Sequence, residues 1–263
     1  MRQTEFLLTR LDEIGHALSQ QSTALALIGL GSVGVERDRL DQFSDLDFFV
    51  IVKPGSKPRY LEDLSWLTRI APVAYYFSNT PDGYKLLYQD GVFCEFAVFE
   101  EAELREAVFA PGRVVWQAAG VDAAIGIPKH FSRQAQPRQT EWLIGEALTN
   151  LYVGLLRERR GERLSALRFI QGHAVERILE LSERIETATS AQPDPFSLER
   201  RYELRHPGLA GLLPELLQGY QRNRESALAA LSFLDKHFEI NPAMQQAILR
   251  LCQADLQSEN DGE

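Results

Sequence analysis

Ser44-Asp45-Leu46-Asp47-Phe48-Phe49-Val50-Ile51-Val52, with Gly31-Ser32 upstream, is the stretch that decides how this chain is read. Two carboxylates stand one residue apart at the head of an apolar run. A strand alternates its side chains between two faces, so Asp45 and Asp47 share a face that Phe49 and Ile51 continue into the core. Phe48, Val50 and Val52 take the other face. Like charges held that close repel each other, and folding gains nothing from them. A divalent cation between them reverses the sign of that cost, and hard oxygen ligands favour Mg²⁺. Gly31-Ser32 closes another apolar run, Ala24 to Leu30, and starts a turn or helix whose N–H groups can receive phosphate oxygens. A bare Asp-x-Asp is common, and a surface turn leading into an ordinary buried strand would also produce it. Here it follows Gly-Ser at the end of one strand and precedes an unbroken apolar run, and the pattern in context favours a site.

Working outward, the residues alternate between helical and strand periodicities. Phe6, Leu7, Leu11, Ile14 and Leu18 predict an amphipathic helix over 4–20, followed by strand 24–30, the Gly-Ser loop and strand 46–52. Pro54 to Pro58 is a turn, and Tyr60, Leu61, Leu64 and Leu67 predict a helix closing near Ile70. Strands are expected at Val73 to Phe77, Tyr84 to Tyr88 and Val92 to Phe99, with turns at Pro81-Asp82-Gly83 and Asp90-Gly91. Tyr75, Tyr76 and Phe77 read as core. Val108 to Arg138, rich in Gly, Ala and Pro, reads as a short strand plus linker. After Gln139 the pattern becomes helical: Leu143 to Leu155, Leu164 to Leu181, then Leu209 to Leu234 and Met244 to Leu256. Trp142, Tyr152 and His173 on these helices read as core or interface residues. The expected fold is α+β, a mixed sheet with flanking helices in residues 1–135, then a helical bundle in 136–257 and a disordered tail in 258–263.

Composition bounds the function. The chain has 263 residues and a net charge of −9, from 28 basic and 37 acidic residues, which argues against a nucleic-acid partner and suits a cationic small molecule. Cys94 and Cys252 stand far apart, and the five histidines show no ligand spacing, so structural zinc is not expected and a reducing cytoplasm is. No segment is apolar over a length that spans a membrane, and the N-terminus lacks a signal core.

The Gly-Ser, loop and Asp-x-Asp signature resembles that of the nucleotidyltransferase superfamily that includes DNA polymerase β. Within it, Asp41-Gln42-Phe43-Ser44-Asp45-Leu46-Asp47 is most similar to the antibiotic nucleotidyltransferases, especially the larger lincosamide type, and Leu155 to Glu162 is similar to a second region of theirs. The interval from Ser32 to Asp45 is longer than usual there, with an insertion in Val35 to Leu40. The resemblance implies Mg²⁺-dependent transfer of a nucleoside monophosphate from an NTP, with ATP as donor, to a hydroxyl of a lincosamide or aminoglycoside. It also implies a homodimer, with the active site in a cleft between the two domains. Such chemistry needs an activated nucleophile, a neutralised α-phosphate and a stabilised leaving group, which two metal ions can serve together.

A third carboxylate is expected on a neighbouring strand. Glu95 is the candidate, the only charge in Val92 to Phe99 and similarly placed to the family's third carboxylate, which is proposed there to bind metal or take the substrate proton. The plainer alternative is a solvent-facing Glu on a half-exposed edge strand. The expected site is therefore Asp45, Asp47 and Glu95 for metal and catalysis, with Gly31 and Ser32 at the nucleotide phosphates. Ser32 has a rival role as a helix cap. Arg157, Arg159, Arg160, Arg163 and Arg168 could face a triphosphate, but helix C-terminal cations on a solvated face explain them better. A non-catalytic nucleotide-binding or antitoxin-like module of the same fold is the alternative from another functional class.

Overall fold

The computed structural model describes residues 3–129, 138–189, 194 and 197–253. The chain divides into two compact units, Met1–Arg133 and Gln134–Glu263. The expected tail 258–263 lies outside the described residues, as does the expected boundary at 135.

The first unit is built on a six-stranded sheet: β1 (Ala24–Gly29), β2 (Leu46–Val52), β3 (Val73–Thr80), β4 (Gly83–Tyr88), β5 (Phe93–Glu100) and β6 (Arg113–Gln117), in the order β3-β4-β5-β2-β1-β6. Only β2 and β5 run parallel; every other pair is antiparallel, so the sheet is mixed.

Alternation along β2 settles which face meets which helix. Leu46, Phe48, Val50 and Val52 are buried against α1 (Gln3–Ser19), α2 (Lys57–Glu62) and α3 (Ser65–Thr68), with Phe96 stacked on Phe48 at 5.3 Å. Helix α1 supplies Leu7, Leu11, Ile14 and Leu18, all at most 1% exposed, at the spacing that puts four side chains on one stripe. Each contributes roughly 2 kcal/mol by leaving water. Phe49 and Ile51 point the other way and pack with Ala26, Ile28, Phe109 and Leu104 of α4 (Glu101–Glu106). That second cluster covers only part of its face. The carboxylate end of the face is left half-exposed.

Several expectations need correction. The helix expected to run to Ile70 is two short ones, broken where Asp63 accepts bonds from the Ser65 backbone (2.8 Å) and hydroxyl (3.0 Å). Helix α4 was not foreseen; Glu100 and Glu103 form a reciprocal capping box that starts it directly from β5. Tyr75, Tyr76 and Phe77 are not core. They are 57%, 55% and 43% exposed, because β3 is an edge strand of the sheet.

The second unit is helical: α5 (Thr140–Arg159), α6 (Arg163–Leu167), a π-helical segment Arg168–Ala174, α7 (Val175–Ser182), three single turns α8 (Tyr202–Arg205), α9 (Pro207–Ala210) and α10 (Leu213–Leu216), then α11 (Asn223–His237) and α12 (Pro242–Gln253). Leu209 to Leu234 is thus not one helix; Gly219, at φ +91, turns the chain before α11. Gln171 on the π segment holds that turn, accepting from the Gly219 N–H at 2.8 Å and donating to Asn223 at 2.8 Å. Trp142 is 45% exposed and carries the Arg138 guanidinium over its ring, so it is a surface residue. Among the described residues, no helix is long and apolar enough to cross a membrane.

Candidate active site

The site is assembled where β1 and β2 meet. The loop before β2 is tied tightly: Asp41 Oδ1 accepts from the Phe43 N–H (2.8 Å) and the Ser44 hydroxyl (3.2 Å), while Ser44 Oγ accepts from the Asp41 N–H (3.0 Å). This small cage sets where Asp45 enters the strand. Asp45 and Asp47 are both half-buried; Asp47 alternates with buried Leu46 and Phe48 and lies on the face left partly open, and Asp45 stands immediately before the strand.

Register brings the third carboxylate alongside. In the parallel ladder Asp47 is directly opposite Glu95 of β5, and in the next ladder Glu95 is opposite Lys85 of β4. Facing residues on neighbouring strands stand about 5 Å apart and share a face. Glu95 does not stand idle there. Its Oε2 pairs with Lys85 Nζ at 3.0 Å, and its Oε1 accepts from Asn79 Nδ2 at 3.0 Å. Glu95 is therefore on an interior strand, unlike the plainer expectation, but its side chain is 42% exposed. Behind them, Cys94 is buried on the opposite face, and burial pushes its thiol pKa well up, with Asp45 and Asp47 adding to the rise.

Among the described residues, no group of three or more His, Cys, Asp or Glu is arranged to hold a metal ion. The chemistry of the donors fits a hard divalent ion: Asp45 and Asp47 offer carboxylate oxygens at the head of β2. What the arrangement lacks is a disengaged Glu95, whose carboxylate is occupied by Lys85 and Asn79.

The Gly-Ser turn sits beside them. The Leu30 N–H donates to the Asp47 carbonyl at 2.8 Å, locking the end of β1 to the head of β2. The chain then turns through a single 3₁₀ turn, Gly31–Val33. Gly31 has φ +50, and no heavy atom lies within 4 Å of where a side chain would begin, so this backbone is open to an approaching group. Gly34 is required for the opposite reason, since a Cβ there would lie 2.6 Å from the Gly29 carbonyl oxygen. The N-cap is Leu30, so Ser32 is not the cap. A second 3₁₀ turn, Arg37–Arg39, fills the stretch Val35 to Leu40 where an insertion was expected.

One cation at this turn escaped the sequence reading. Arg113, at the start of β6, donates from Nε to the Val33 carbonyl at 3.2 Å. Burial and the nearby positive charge of Arg37 hold its pKa below the usual arginine value. Its signal was only that of a polar residue opening a short strand, paired with Gly29 by register. Two of the second unit's arginines are engaged with acids across the turn between α5 and α6: Arg157 with Glu162 at 3.0 Å and Arg163 with Glu158 at 3.5 Å.

No family model and no curated protein matches the chain. Among solved structures it is similar to an aminoglycoside 6-adenyltransferase from Bacillus subtilis, 14% identical over 96% of this chain and 98% of that one, with a TM-score of 0.36. It is also similar to a nucleotidyltransferase-like protein from Exiguobacterium sibiricum, 15% identical over 94% of this chain and 73% of that one, with a TM-score of 0.32.

Proposed function

We propose that this chain transfers a nucleoside monophosphate from an NTP, ATP in the first instance, to a hydroxyl of a small molecule, in a Mg²⁺-dependent reaction. The observation that carries this reading is the register: Asp47 on β2, two residues after Asp45 at the entry to that strand, has Glu95 directly opposite it on the parallel strand β5. Asp45 and Asp47 would hold the cation, with Glu95 either joining them or taking the acceptor's proton. Bound Mg²⁺ supplies neutralisation of phosphate charge. The chain's own part is to position the groups. The open backbone at Gly31 and the Ser32 hydroxyl would receive the phosphates of the nucleotide, and the half-exposed sheet face beside Glu95 would receive the acceptor. The net charge of −9 favours a cationic or hydroxyl-rich acceptor, an aminoglycoside or lincosamide being the natural first trial.

The test is pyrophosphate release from each of the four NTPs with Mg²⁺ and a panel of hydroxylated amines and antibiotics, with Asp47→Asn as background. Release that depends on acceptor and is lost in Asp47→Asn supports the reading.

A second reading has an observation of its own. Glu95 is bound by Lys85 and Asn79, and among the described residues no metal-holding group of three is formed, as a nucleotide-binding module without catalysis would show. A Mg²⁺–NTP-dependent rise in melting temperature with no pyrophosphate release under any acceptor would favour that module.

A further inference from the structure

The sheet face that carries Asp47 and Glu95 has a second row of side chains beside theirs. Tyr75 on β3 stands opposite Leu87 on β4, and Leu87 stands opposite Phe93 on β5. Phe93 and Glu95 are two residues apart on β5, so they share a face. The ladder of β5 with β2 begins at the pair Cys94 and Leu46; one step ahead of it come Phe93 on one strand and Asp45 before the other. The row Tyr75, Leu87, Phe93 thus leads to the carboxylates at the head of β2. It carries no charge, and two strand spacings make it about 10 Å long. Phe77 adds to it at β3, with its ring centroid 5.8 Å from that of Tyr75.

The core does not account for this row. Leu87 and Phe93 are half-buried, and among the described residues neither joins the buried clusters on the two faces of the sheet. Tyr75 is 57% exposed. On the reverse face the same strands are packed: Leu86 and Cys94 are fully buried, and Tyr76 leans on Tyr84 at 6.2 Å. Apolar side chains left open side by side on a folded chain mark a binding surface.

We propose that this row holds the acceptor, an alcohol with a flat apolar body about 10 Å long, aromatic or polycyclic, laid on Tyr75, Leu87 and Phe93 with its hydroxyl at Asp47 and Glu95. The inference rests on the nucleotidyl-transfer reading. In that step the alcohol oxygen bonds to the α-phosphorus as the bond from phosphorus to the bridging oxygen breaks. Pyrophosphate leaves, and the alcohol proton passes to a carboxylate of the site. Three observations select this occupant over others. The row is continuous with the carboxylates, so whatever lies on it reaches them. The Gly31 turn follows β1, on the other side of β2 from β5 in the strand order, so nucleotide phosphates and this row approach the carboxylates from opposite sides. The row is also short and uncharged, and the charges along its border, Lys85 and Glu95, are paired with each other at 3.0 Å. Flat rings stack on aromatic side chains, whereas a sugar with hydroxyls on every side would leave Tyr75 and Phe93 unsatisfied as apolar surface.

The probe is 2-naphthyl β-D-glucoside, whose fluorescence anisotropy reports binding to the full chain without any turnover; methyl β-D-glucoside is the same sugar without the rings. The wild type is expected to bind the naphthyl glucoside saturably below about 1 mM. Tyr75→Ser/Leu87→Ser is expected to weaken that binding by about tenfold or more. Tyr76→Ser, at an exposed aromatic on the reverse face of the same strand, is expected to leave it unchanged. With Mg²⁺ and NTP, pyrophosphate release should show a KM for the naphthyl glucoside about tenfold below that for the methyl glucoside, and the gap should close in the double variant. A wild type that does not bind the probe overturns the proposal, as do equal binding by the double variant, an equal loss in Tyr76→Ser, and turnover that prefers the methyl glucoside. Binding that follows the row, with no release from any acceptor, overturns the transfer reading instead and leaves the row as a site for apolar rings. Should the double variant fail to fold, Tyr75→Ser alone decides: binding as tight as the wild type overturns the proposal.

Discussion

If Glu95 is to join Asp45 and Asp47 around a cation, it must first leave Lys85, and the structure sets how hard that is. The pair is 3.0 Å long, with Lys85 35% and Glu95 42% exposed in their side chains. An ion pair that open to water is worth at most about 1 kcal/mol. Lys85→Met removes the competitor while keeping an unbranched chain of similar reach, and leaves the Asn79 bond to Glu95 in place. Releasing up to about 1 kcal/mol of competition should lower the Mg²⁺ concentration for half-maximal effect by about two- to fivefold. The assay is a Mg²⁺ titration of the melting temperature at saturating NTP, repeated as a Mg²⁺ titration of turnover where turnover is found. A half-saturating Mg²⁺ concentration that stays the same or rises would refute the reasoning. It would leave Glu95 as a cross-strand partner of Lys85 with no part in cation binding. The control is Lys57→Met, on another ammonium that pairs two carboxylates, Asp82 at 2.6 Å and Glu103 at 2.7 Å, beyond the end of β2 opposite to Asp47. It should weaken the fold and leave the titration midpoint alone.

Asp45→Asn and Asp47→Asn are each expected to abolish transfer with little change in the ligand-free melting temperature, and to lose most of the stabilisation by Mg²⁺–NTP; turnover near wild type at saturating Mg²⁺ would remove both from the site. Asp90→Ala should destabilise the first unit by about 2 kcal/mol in urea, because it strips Arg10, 4% exposed and bound to Asp90 at 2.6 Å, of its nearest counter-charge while Glu13 remains. Burial raises the Asp90 carboxyl, but the Arg10 bond outweighs it and holds its pKa below the usual carboxylate range, so this stabilisation is present above that range and fades as pH falls through the depressed folded value. Urea midpoints between neutral and acid pH should show that fading in the wild type and not in Asp90→Asn. The chain should not bind tRNA or single-stranded DNA at low salt; affinity that falls steeply as salt rises would show a basic track that the net charge of −9 conceals.

What the sequence made legible was whatever lies within one element. The period of two along Leu46 to Val52 was enough to put Phe49 and Ile51 on one face and Phe48, Val50 and Val52 on the other, and the buried clusters divide at those positions. The four-residue stripe of α1 was equally plain. What stayed hidden depends on which strand lies next to which. Tyr75, Tyr76 and Phe77 carry the composition of a central strand, and only the order β3-β4-β5-β2-β1-β6 makes them an edge. The run Leu164 to Leu181 reads as one helix because a π-helical segment adds its extra residue per turn without breaking the apolar spacing; Arg168–Ala174 is invisible to periodicity. The turn at Gly219 was missed because glycine within an apolar helical pattern is tolerated as often as it ends one.

Glu95 shows the same limit at the level of chemistry. A single charge within Val92 to Phe99 suggested a buried carboxylate in search of a partner. That inference needs the charge to be buried, and it is not: the face that holds Asp47 and Glu95 is covered by Phe109 and Leu104 only farther along the strands. The partner it has, Lys85, comes from β4, a strand whose pairing with β5 no local pattern announces. Along one row of the sheet the register then reads Phe77, Lys85, Glu95, Asp47. A cation from the protein thus stands next to the carboxylates that a divalent cation would share. Lys85 offsets the Glu95 charge in that row without a metal, and the exposure of the pair keeps the cost of parting Glu95 from Lys85 within about 1 kcal/mol. A buried pair in the same row would have been fixed, and Glu95 would have had no second role to play.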